Sequence, residues 1–141
     1  MSEFKEKEFS LKIIAANRVF YDGPCESIIV PQYDGGGMQV LLNHENMATV
    51  LNAGTASFRR QGEEDREVVL GVGFIEVVDN VVTVLVESAE TPEEIDVLRA
   101  QQAAKRATER LRERQSKREY NHTCAALARA MARLAATKKY R

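Results

Sequence analysis

Residues 74–96 read FIEVVDNVVTVLVESAETPEEID, and the structural signal changes within this stretch. Its first half holds two runs of β-branched residues joined by Asp79 and Asn80, which tolerate the positive φ of a tight turn. Its second half offers Thr91, a good helix N-cap, followed by Pro92, which suits the first helical position. The carboxylates that follow complement the positive end of a helix dipole. The stretch predicts a β-hairpin that leads into a helix.

The residues before this stretch predict an all-β region. Short apolar segments, each bounded by glycine, aspartate, asparagine or proline, read FSLKIIAA, ESIIVPQ, MQVLL, TASFRR and REVVLG. Many short strands with closely spaced turn signals are typical of a sandwich or a barrel.

The residues after Pro92 contain neither glycine nor proline and are rich in strong helix formers. Two apolar stripes at helical spacing are predicted to be buried. The first is Ala100, Ala104, Ala107 and Leu111, and the second is Tyr120, Cys124, Leu127, Met131 and Leu134. The stripes predict two antiparallel helices with a turn within residues 112–119. Because no residue there obviously forces a turn, one continuous helix is the alternative.

Composition and charge define the class of protein. The chain has 141 residues with 44% hydrophobic and 29% charged content, which indicates a globular protein of one domain with an appendage. No stretch approaches the roughly 20 apolar residues of a membrane span, and the charged start MSEFKEKEFS does not resemble a secretory signal. Residues 1–87 carry a net charge of −7 and residues 88–141 a net +6, so the second part favours an anionic partner.

The sequence offers no recognisable catalytic or metal-binding set. His44 and His122 lack metal-ligand spacing, and Cys25 and Cys124 are predicted to be free thiols in a reducing compartment. The segment GVGF at residues 71–74 continues as a strand, unlike a dinucleotide-binding loop. The segment DGGGM at residues 34–38 is better explained as a turn than as a phosphate loop.

Arginines recur on the predicted helices away from the apolar stripes. Asp96, Arg99 and Arg106 share one face of the first helix, and Arg129 and Arg133 lie one turn apart on the second. A solvated face is one explanation, with an Asp96–Arg99 pair contributing a few tenths of a kcal/mol. The other is a polyanion, because folding the hairpin would bring four guanidiniums together and arginine suits phosphate.

The chain resembles the epsilon subunits of bacterial rotary (F-type), proton-translocating ATP synthases. The resemblance lies in FSLKIIAANRVFYDG, IIVPQYDGG, LLNHENMATVLNAG, GVGFIEVVDNVVTVLVESAE, EEIDVLRAQQAAKRA and AALARAMARL, in this order. It implies an α+β fold, with an N-terminal β-sandwich in residues 1–88 and a C-terminal two-helix antiparallel hairpin in residues 89–141.

The resemblance also implies a role without a reaction of its own. Such subunits belong to the central stalk at the cytoplasmic face of the bacterial cell membrane, without inserting into it. They bind the gamma subunit and the c-ring and couple proton translocation to ATP synthesis. Their mobile helices extend into the alpha/beta catalytic head and inhibit ATP hydrolysis.

Some members of this family bind ATP in the folded hairpin as a regulatory ligand, with or without Mg²⁺. Their motif, Ile/Leu-Asp-x-x-Arg-Ala with an upstream acidic residue and further arginines, is filled at every position. The implied ATP-binding residues are Glu90, Ile95, Asp96, Arg99, Ala100, Arg106, Arg129 and Arg133. In this interpretation Asp96 accepts from the adenine amino group or orients an arginine, and the arginines hold phosphates.

Two groups of residues are predicted to contact partners. Towards the acidic loop of the beta subunits these are Arg118, Arg129, Arg133, Lys138 and Lys139. Towards the c-ring they are Asp34, Gln39 and His44. The segment GMQVLLNH departs from the family pattern, because Gln39 replaces a common glycine and Leu42 a common proline. The details of the c-ring contact are therefore left open.

A different class of function remains as the rival. A free β-sandwich with a basic helical tail would bind nucleic acid, and a salt-dependent DNA shift without affinity for gamma would favour it. The aromatic content of 6%, without tryptophan, disfavours base stacking, so we predict no nucleic-acid partner. A stand-alone ATPase is disfavoured because a P-loop and a Mg²⁺-binding carboxylate set are missing.

Overall fold

A computed structural model describes residues 4–113 and 115–138, in which ten strands precede two helices. The strands are β1 Phe9–Ala15, β2 Arg18–Cys25, β3 Ser27–Pro31, β4 Gly37–Val40, β5 Met47–Leu51, β6 Gly54–Arg59, β7 Arg66–Leu70, β8 Gly73–Val78, β9 Val81–Val86 and β10 Ala89–Glu90. A 3₁₀ turn at Pro92–Glu94 leads to α1 Val97–Leu111 and α2 Lys117–Lys138. The predicted α+β fold, a sandwich followed by a helical hairpin, is confirmed.

The strands form two five-stranded sheets. One has the order β2-β1-β9-β8-β5 and the other β10-β7-β6-β3-β4. Strands β1 and β9 pair in parallel, so the first strand of the chain is hydrogen-bonded to β9. Alternate residues point into the core, as in β1, where Leu11 and Ile13 are fully buried. The core cluster runs from Phe9 to Ala89, so the sandwich has a core separate from the helices.

Strands β2, β5 and β10 lie in segments where no strand was predicted from the sequence. In β2, Gly23 and Pro24 are breaker residues by propensity. This strand lies at the edge of its sheet, where a proline without an N–H is tolerated. A register shift between Ile13 and Ile14 of the neighbouring strand adds to the irregularity. Edge position, which a local pattern does not reveal, explains the missed β2.

The β8–β9 hairpin has the predicted geometry. Asp79 and Asn80 adopt φ values of 47° and 62°, the left-handed region that a tight turn requires. At its other end, Gly73 pairs with Val86, and a Cβ on Gly73 would lie 2.0 Å from the Leu85 carbonyl oxygen. The GVGF segment is therefore part of the sheet, where backbone crowding explains Gly73.

The helical region begins differently from the prediction. Thr91 starts the short 3₁₀ turn, and its backbone N–H and hydroxyl both donate to Glu94 Oε1, at 2.9 and 3.0 Å. Ile95 is then extended, and Asp96 caps α1 by accepting from the Arg99 N–H at 3.0 Å. The prediction that the first helix starts at Pro92 is wrong. The aspartate at position 96 is the stronger cap, so α1 starts at Val97.

The predicted turn between the helices is confirmed, and Ser116 supplies a start signal for α2 that was not predicted. The Glu119 N–H donates to Ser116 Oγ at 3.1 Å, so Ser116 caps α2. The Gln115 amide closes the turn by donating to the Arg110 carbonyl at 2.8 Å and accepting from the Thr123 hydroxyl at 3.1 Å. In this state the chain is a hairpin, not one continuous helix.

The apolar stripe predicted on α2 is wrong in part. Tyr120 and Met131 are 49% and 54% exposed, whereas Thr123 and Ala130 are buried. On α1 the buried residues are Ala100 and Ala107. Small side chains let two helices approach closely. The larger side chains of α2, Tyr120 and Met131, are then exposed to solvent. The seam between α1 and α2 is therefore lined by alanine, as predicted for α1 alone.

A buried carboxylate anchors the segment before β1 to the β6–β7 loop. The Glu8 side chain is fully buried and accepts from the Arg60 guanidinium at 3.1 Å and from the backbone N–H groups of Lys5 and Gln61 at 2.7 and 3.0 Å. The hydrogen bonds from Arg60, opposed by desolvation and assisted by the two backbone donors, lower the pKa of Glu8 to about 2.

We expect Glu8 to make folding sensitive to acid. Because its folded-state pKa lies below the ordinary value of 4.5, its stabilisation is present above that value and is lost as pH falls towards about 2. Glu8→Gln should lower the free energy of unfolding at pH 7 by about 2 kcal/mol and flatten the stability loss in that window. Thermal unfolding between pH 3 and 7 measures both effects. The exposed Glu6→Gln is the control, and an equal acid dependence in both variants would contradict the assignment.

Candidate functional site

The eight residues of the implied ATP-binding motif converge on one cavity between the hairpin and the end of the sandwich. Its volume is about 350 Å³. We call it the arginine pocket, and its lining residues are Glu90, Ile95, Asp96, Arg99, Ala100, Ala103, Arg106, Arg129 and Arg133. The sandwich contributes Glu90, and both helices contribute arginines, so the pocket requires the folded hairpin.

Local structure places each arginine. Helix α1 begins at the Asp96 cap, which sets Arg99 and Arg106 seven residues apart, on the same face. Helix α2 packs against β6, β7 and the 3₁₀ turn, and this contact turns Arg129 and Arg133 towards the sandwich. Because the seam is lined by alanine, the two pairs of arginines lie on helices that approach closely.

The arginines of α2 are held by carboxylates of the sandwich. Arg133 Nε donates to Glu90 Oε1 at 2.5 Å, and Arg129 Nη1 lies 2.6 Å from Glu87 Oε1. These side chains are only 25–32% exposed, so the pairs are screened less than surface pairs. Glu87 was not among the predicted residues. Its position between β9 and β10 gives no local signal, because the pair joins residues 42 apart.

The arginines of α1 are in a different situation. Arg99 and Arg106 are exposed, and no ion pair holds either of them in the part of the chain that the structure describes. The arginine pocket therefore combines two arginines that form no ion pair among the described residues with two that are paired. Such an arrangement attracts an anion with several negative oxygens.

Asp96 has a structural task besides any ligand contact. Its Oδ1 accepts from the Arg99 N–H and caps α1. Replacement by alanine would cost about 1 kcal/mol of helix stability even if no ligand binds. The carboxylate keeps further acceptor sites, on Oδ2 above all, for the role that the motif implies, accepting from an adenine amino group.

A further contact fixes the segment that carries Glu90. Arg18 Nη2 donates to the Ala89 carbonyl at 2.7 Å and to Glu94 Oε1 at 3.0 Å. The Arg18 hydrogen bond, together with those from Thr91, lowers the pKa of Glu94 to about 2. Strand β2 thus positions both β10 and the entry to α1. Arg18 gave no signal in the sequence, because no local pattern indicated the strand β2 that carries it.

The basic surface extends from the arginine pocket towards the hairpin turn. An adjoining cavity of about 290 Å³ shares Arg106, Arg129 and Arg133 and adds Arg110 and His122. Around the turn, Arg118 is exposed in the first turn of α2 and lines another cavity with Arg110. Lys138 ends α2, and Lys139 lies outside the described residues.

The residues predicted to face the c-ring lie around β4, away from the lining of the arginine pocket. Asp34 is exposed and accepts from the Gly36 N–H at 3.1 Å within the β3–β4 turn. Gln39 Nε2 donates to Ser27 Oγ at 2.9 Å on the neighbouring strand. His44 is in the β4–β5 loop, with Nδ1 2.8 Å from the Glu45 carbonyl oxygen. Their contacts with the c-ring remain predictions. The local contacts described here give each of the three side chains a structural role as well.

Other chemistry has little support in the described residues. No group of three or more histidine, cysteine, aspartate or glutamate side chains there is arranged to hold a metal ion. Cys25 and Cys124 are free, as predicted, and burial raises the pKa of Cys25 to about 11, which disfavours the reactive thiolate. In the same residues, no helix has the length and apolar character needed to cross a membrane.

Comparison with known proteins gives matches along nearly the whole chain. The family described as ATP synthase, Delta/Epsilon chain, beta-sandwich domain matches residues 8–92. The family described as ATP synthase, Delta/Epsilon chain, long alpha-helix domain matches residues 93–138. These two matches correspond to the sandwich and the hairpin of the structure.

Similar proteins and structures agree with the family matches. The ATP synthase epsilon chain of Caldanaerobacter subterraneus subsp. tengcongensis is 41% identical, over 96% of this chain and 97% of its own length. That of Symbiobacterium thermophilum is 42% identical, over 92% of each chain. A chain of the Euglena gracilis mitochondrial ATP synthase shares the fold, with a TM-score of 0.74 at 22% identity over 96% of this chain and 84% of its own. The family matches and these relatives show that the chain belongs to the bacterial ATP synthase epsilon chains.

Proposed function

We propose that the chain is a non-catalytic rotor subunit whose hairpin senses ATP and controls ATP hydrolysis by the complex. As an epsilon chain, it belongs to the central stalk of an F-type ATP synthase. We further propose that the gamma subunit, the c-ring and the alpha/beta catalytic head are its partners, with the chain peripheral to the cytoplasmic face of the membrane. One similar structure comes from an assembly titled OSCP/F1/c-ring, which supports the c-ring and the catalytic head as partners.

The observation that carries the ATP proposal is the arginine pocket itself. The eight residues that the family resemblance implies lie around one cavity, although they come from β10, the segment before α1, and both helices. Its volume of about 350 Å³, extended by the adjoining cavity of about 290 Å³, suits a ligand of mononucleotide size. Guanidiniums from both helices would hold the phosphates, and Ile95 with Ala100 would contact the base.

The same pocket links ATP to inhibition. Arg129 and Arg133 belong both to the pocket and to the residues predicted to contact the acidic loop of the beta subunits. A guanidinium that holds a phosphate in the folded hairpin is not available to a partner of the extended form. ATP binding therefore favours the non-inhibitory hairpin by mass action, because it binds only one of the two states.

A calorimetric titration of the isolated chain with ATP, with and without Mg²⁺, tests the sensor. We expect saturable binding by the wild type and at least about tenfold weaker binding by Arg129→Ala, because a charge-assisted phosphate contact is lost. Arg112→Ala is the matched control, since it removes an exposed arginine just after α1 that does not line the pocket.

Two results would reject the sensor. Absence of binding heat from the wild type up to millimolar ATP would leave the arginines to the partner of the extended state or to solvent. Equal weakening by Arg129→Ala and Arg112→Ala would show a general charge effect, not a site. The family assignment would stand in either case.

A further inference from the structure

Among the described residues, Glu87 is the carboxylate outside the ATP-binding motif that pairs with a pocket arginine. Its Oε1 lies 2.6 Å from Arg129 Nη1. That oxygen is buried and, among the described residues, has no hydrogen bond of good geometry. The charge of Arg129 therefore compensates its burial, and removal of Arg129 from this position would leave the carboxylate poorly satisfied.

The backbone around Glu87 holds the side chain in this position. The Glu87 N–H donates to the Val72 carbonyl at 3.0 Å, and the Gly71 N–H donates to the Ser88 carbonyl at 2.9 Å. A Cβ on Gly71 would lie 2.4 Å from Glu87 Cγ. The side chain therefore lies against bare glycine backbone, which leaves the room it needs to reach α2.

Arg129 thus has two possible anionic partners. A carboxylate and a phosphate both present oxygens that match the guanidinium, so occupation by one competes with the other. We infer that Glu87 holds Arg129 in the place of a phosphate in the ligand-free hairpin and is displaced when ATP binds. This inference rests on the proposed function, because it names the competitor for the same site.

The competition has a consequence for the docking of α2 on the sandwich. Without ATP, the Glu87–Arg129 pair helps to keep α2 in contact with β6 and β7. With ATP, the nucleotide bridges α1 and α2, and the pair no longer contributes. Loss of the Glu87 charge should therefore weaken docking only in the ligand-free state. A carboxylate that stayed paired with Arg129 throughout would contribute in both states.

Hydrogen exchange of α2 in the full chain, without ATP and at saturating ATP, distinguishes these two cases. For Glu87→Gln without ATP, we expect exchange in residues 117–138 to be roughly three- to fivefold faster than in the wild type, as for a partly exposed ion pair. At saturating ATP, the variant should exchange at the wild-type rate. Glu93→Gln is the control, because it removes a nearby exposed charge that does not line the pocket, and it should match the wild type in both states.

Each other outcome overturns the inference. If Glu87→Gln still exchanges faster at saturating ATP, the pair persists in the bound state and Glu87 is only a structural contact. If the ligand-free variant exchanges like the wild type, Glu87 does not hold α2. If calorimetry finds no ATP binding by the wild type or by Glu87→Gln, the proposed ATP sensor is rejected, and so is the competition between Glu87 and ATP. Binding by the wild type together with either of the first two results rejects the inference alone.

Discussion

Gly73→Ala should lower the free energy of unfolding by about 3 kcal/mol or more, because its new methyl group has no room. The Cβ would lie 2.0 Å from the Leu85 carbonyl oxygen and 2.7 Å from Val86 Cα. Both contacts are backbone atoms of β9, so no side-chain rotation relieves them. The pair β8–β9 is central to its sheet, and the strain would spread to β1 and β5.

Thermal unfolding followed by circular dichroism measures this effect, and Gly36→Ala is the matched control. A Cβ on Gly36 would meet only the side-chain oxygens of Asp34 and Gln32, at the ordinary distance of 3.5 Å. We expect the control to stay within about 0.5 kcal/mol of the wild type. A Gly73→Ala protein that unfolds at the wild-type temperature would show that the β8–β9 backbones separate easily.

Deletion of residues 91–141 should raise ATP hydrolysis by the assembled complex several-fold while the chain remains bound. The ten strands all precede residue 91, and their core cluster contains no helical residue, so we expect the sandwich to fold. The deletion removes the cations that we expect to engage the acidic partner in the inhibitory state, namely Arg118, Arg129, Arg133, Lys138 and Lys139. The expected rise follows from the proposed inhibitory role.

Three complexes make this measurement decisive, namely one with the full chain, one with the truncated chain and one without the chain. If inhibition resides in the helices, the truncated complex hydrolyses ATP at the rate of the complex without the chain. Retention of gamma by the truncated chain, tested by co-purification, confirms that the sandwich still assembles. Equal hydrolysis with the full and truncated chains would refute an inhibitory role for the hairpin.

Much of the fold was accessible from local patterns, and the errors have physical causes. The β8–β9 hairpin was predictable because Asp79 and Asn80 carry their own turn geometry. Strand β2 was not, because Pro24 is tolerated only by virtue of its place at a sheet edge. The buried face of α2 was misjudged because large apolar residues were assumed to lie inside, whereas Ala130 forms the seam and Met131 faces outwards.

Some residues of the arginine pocket could likewise be predicted from the sequence, and others could not. Its residues on α1 were predictable from helical spacing, since Arg99 and Arg106 are set by one cap and one period. The meeting of the four arginines followed from the predicted hairpin, whereas the inclusion of Glu90 from β10 came from the family resemblance. Glu87 and Arg18 were missed because their contacts join distant parts of the chain, to Arg129 and to the segment before α1. Such contacts depend on docking, which no local window contains.

The small side chains between α1 and α2 limit the free energy needed to separate the two helices. Burial of a methyl group contributes on the order of 1 kcal/mol, less than half of what a buried leucine provides. Among the described residues, the buried side chains of the two helices are all small: Ala100 and Ala107 on α1, and Thr123, Ala130, Ala136 and Thr137 on α2. Separating them thus costs an amount comparable to the roughly 3–4 kcal/mol that a ligand supplies at a hundred to a thousand times its Kd. An interface of leucines would place the opening of the hairpin beyond the reach of a single nucleotide.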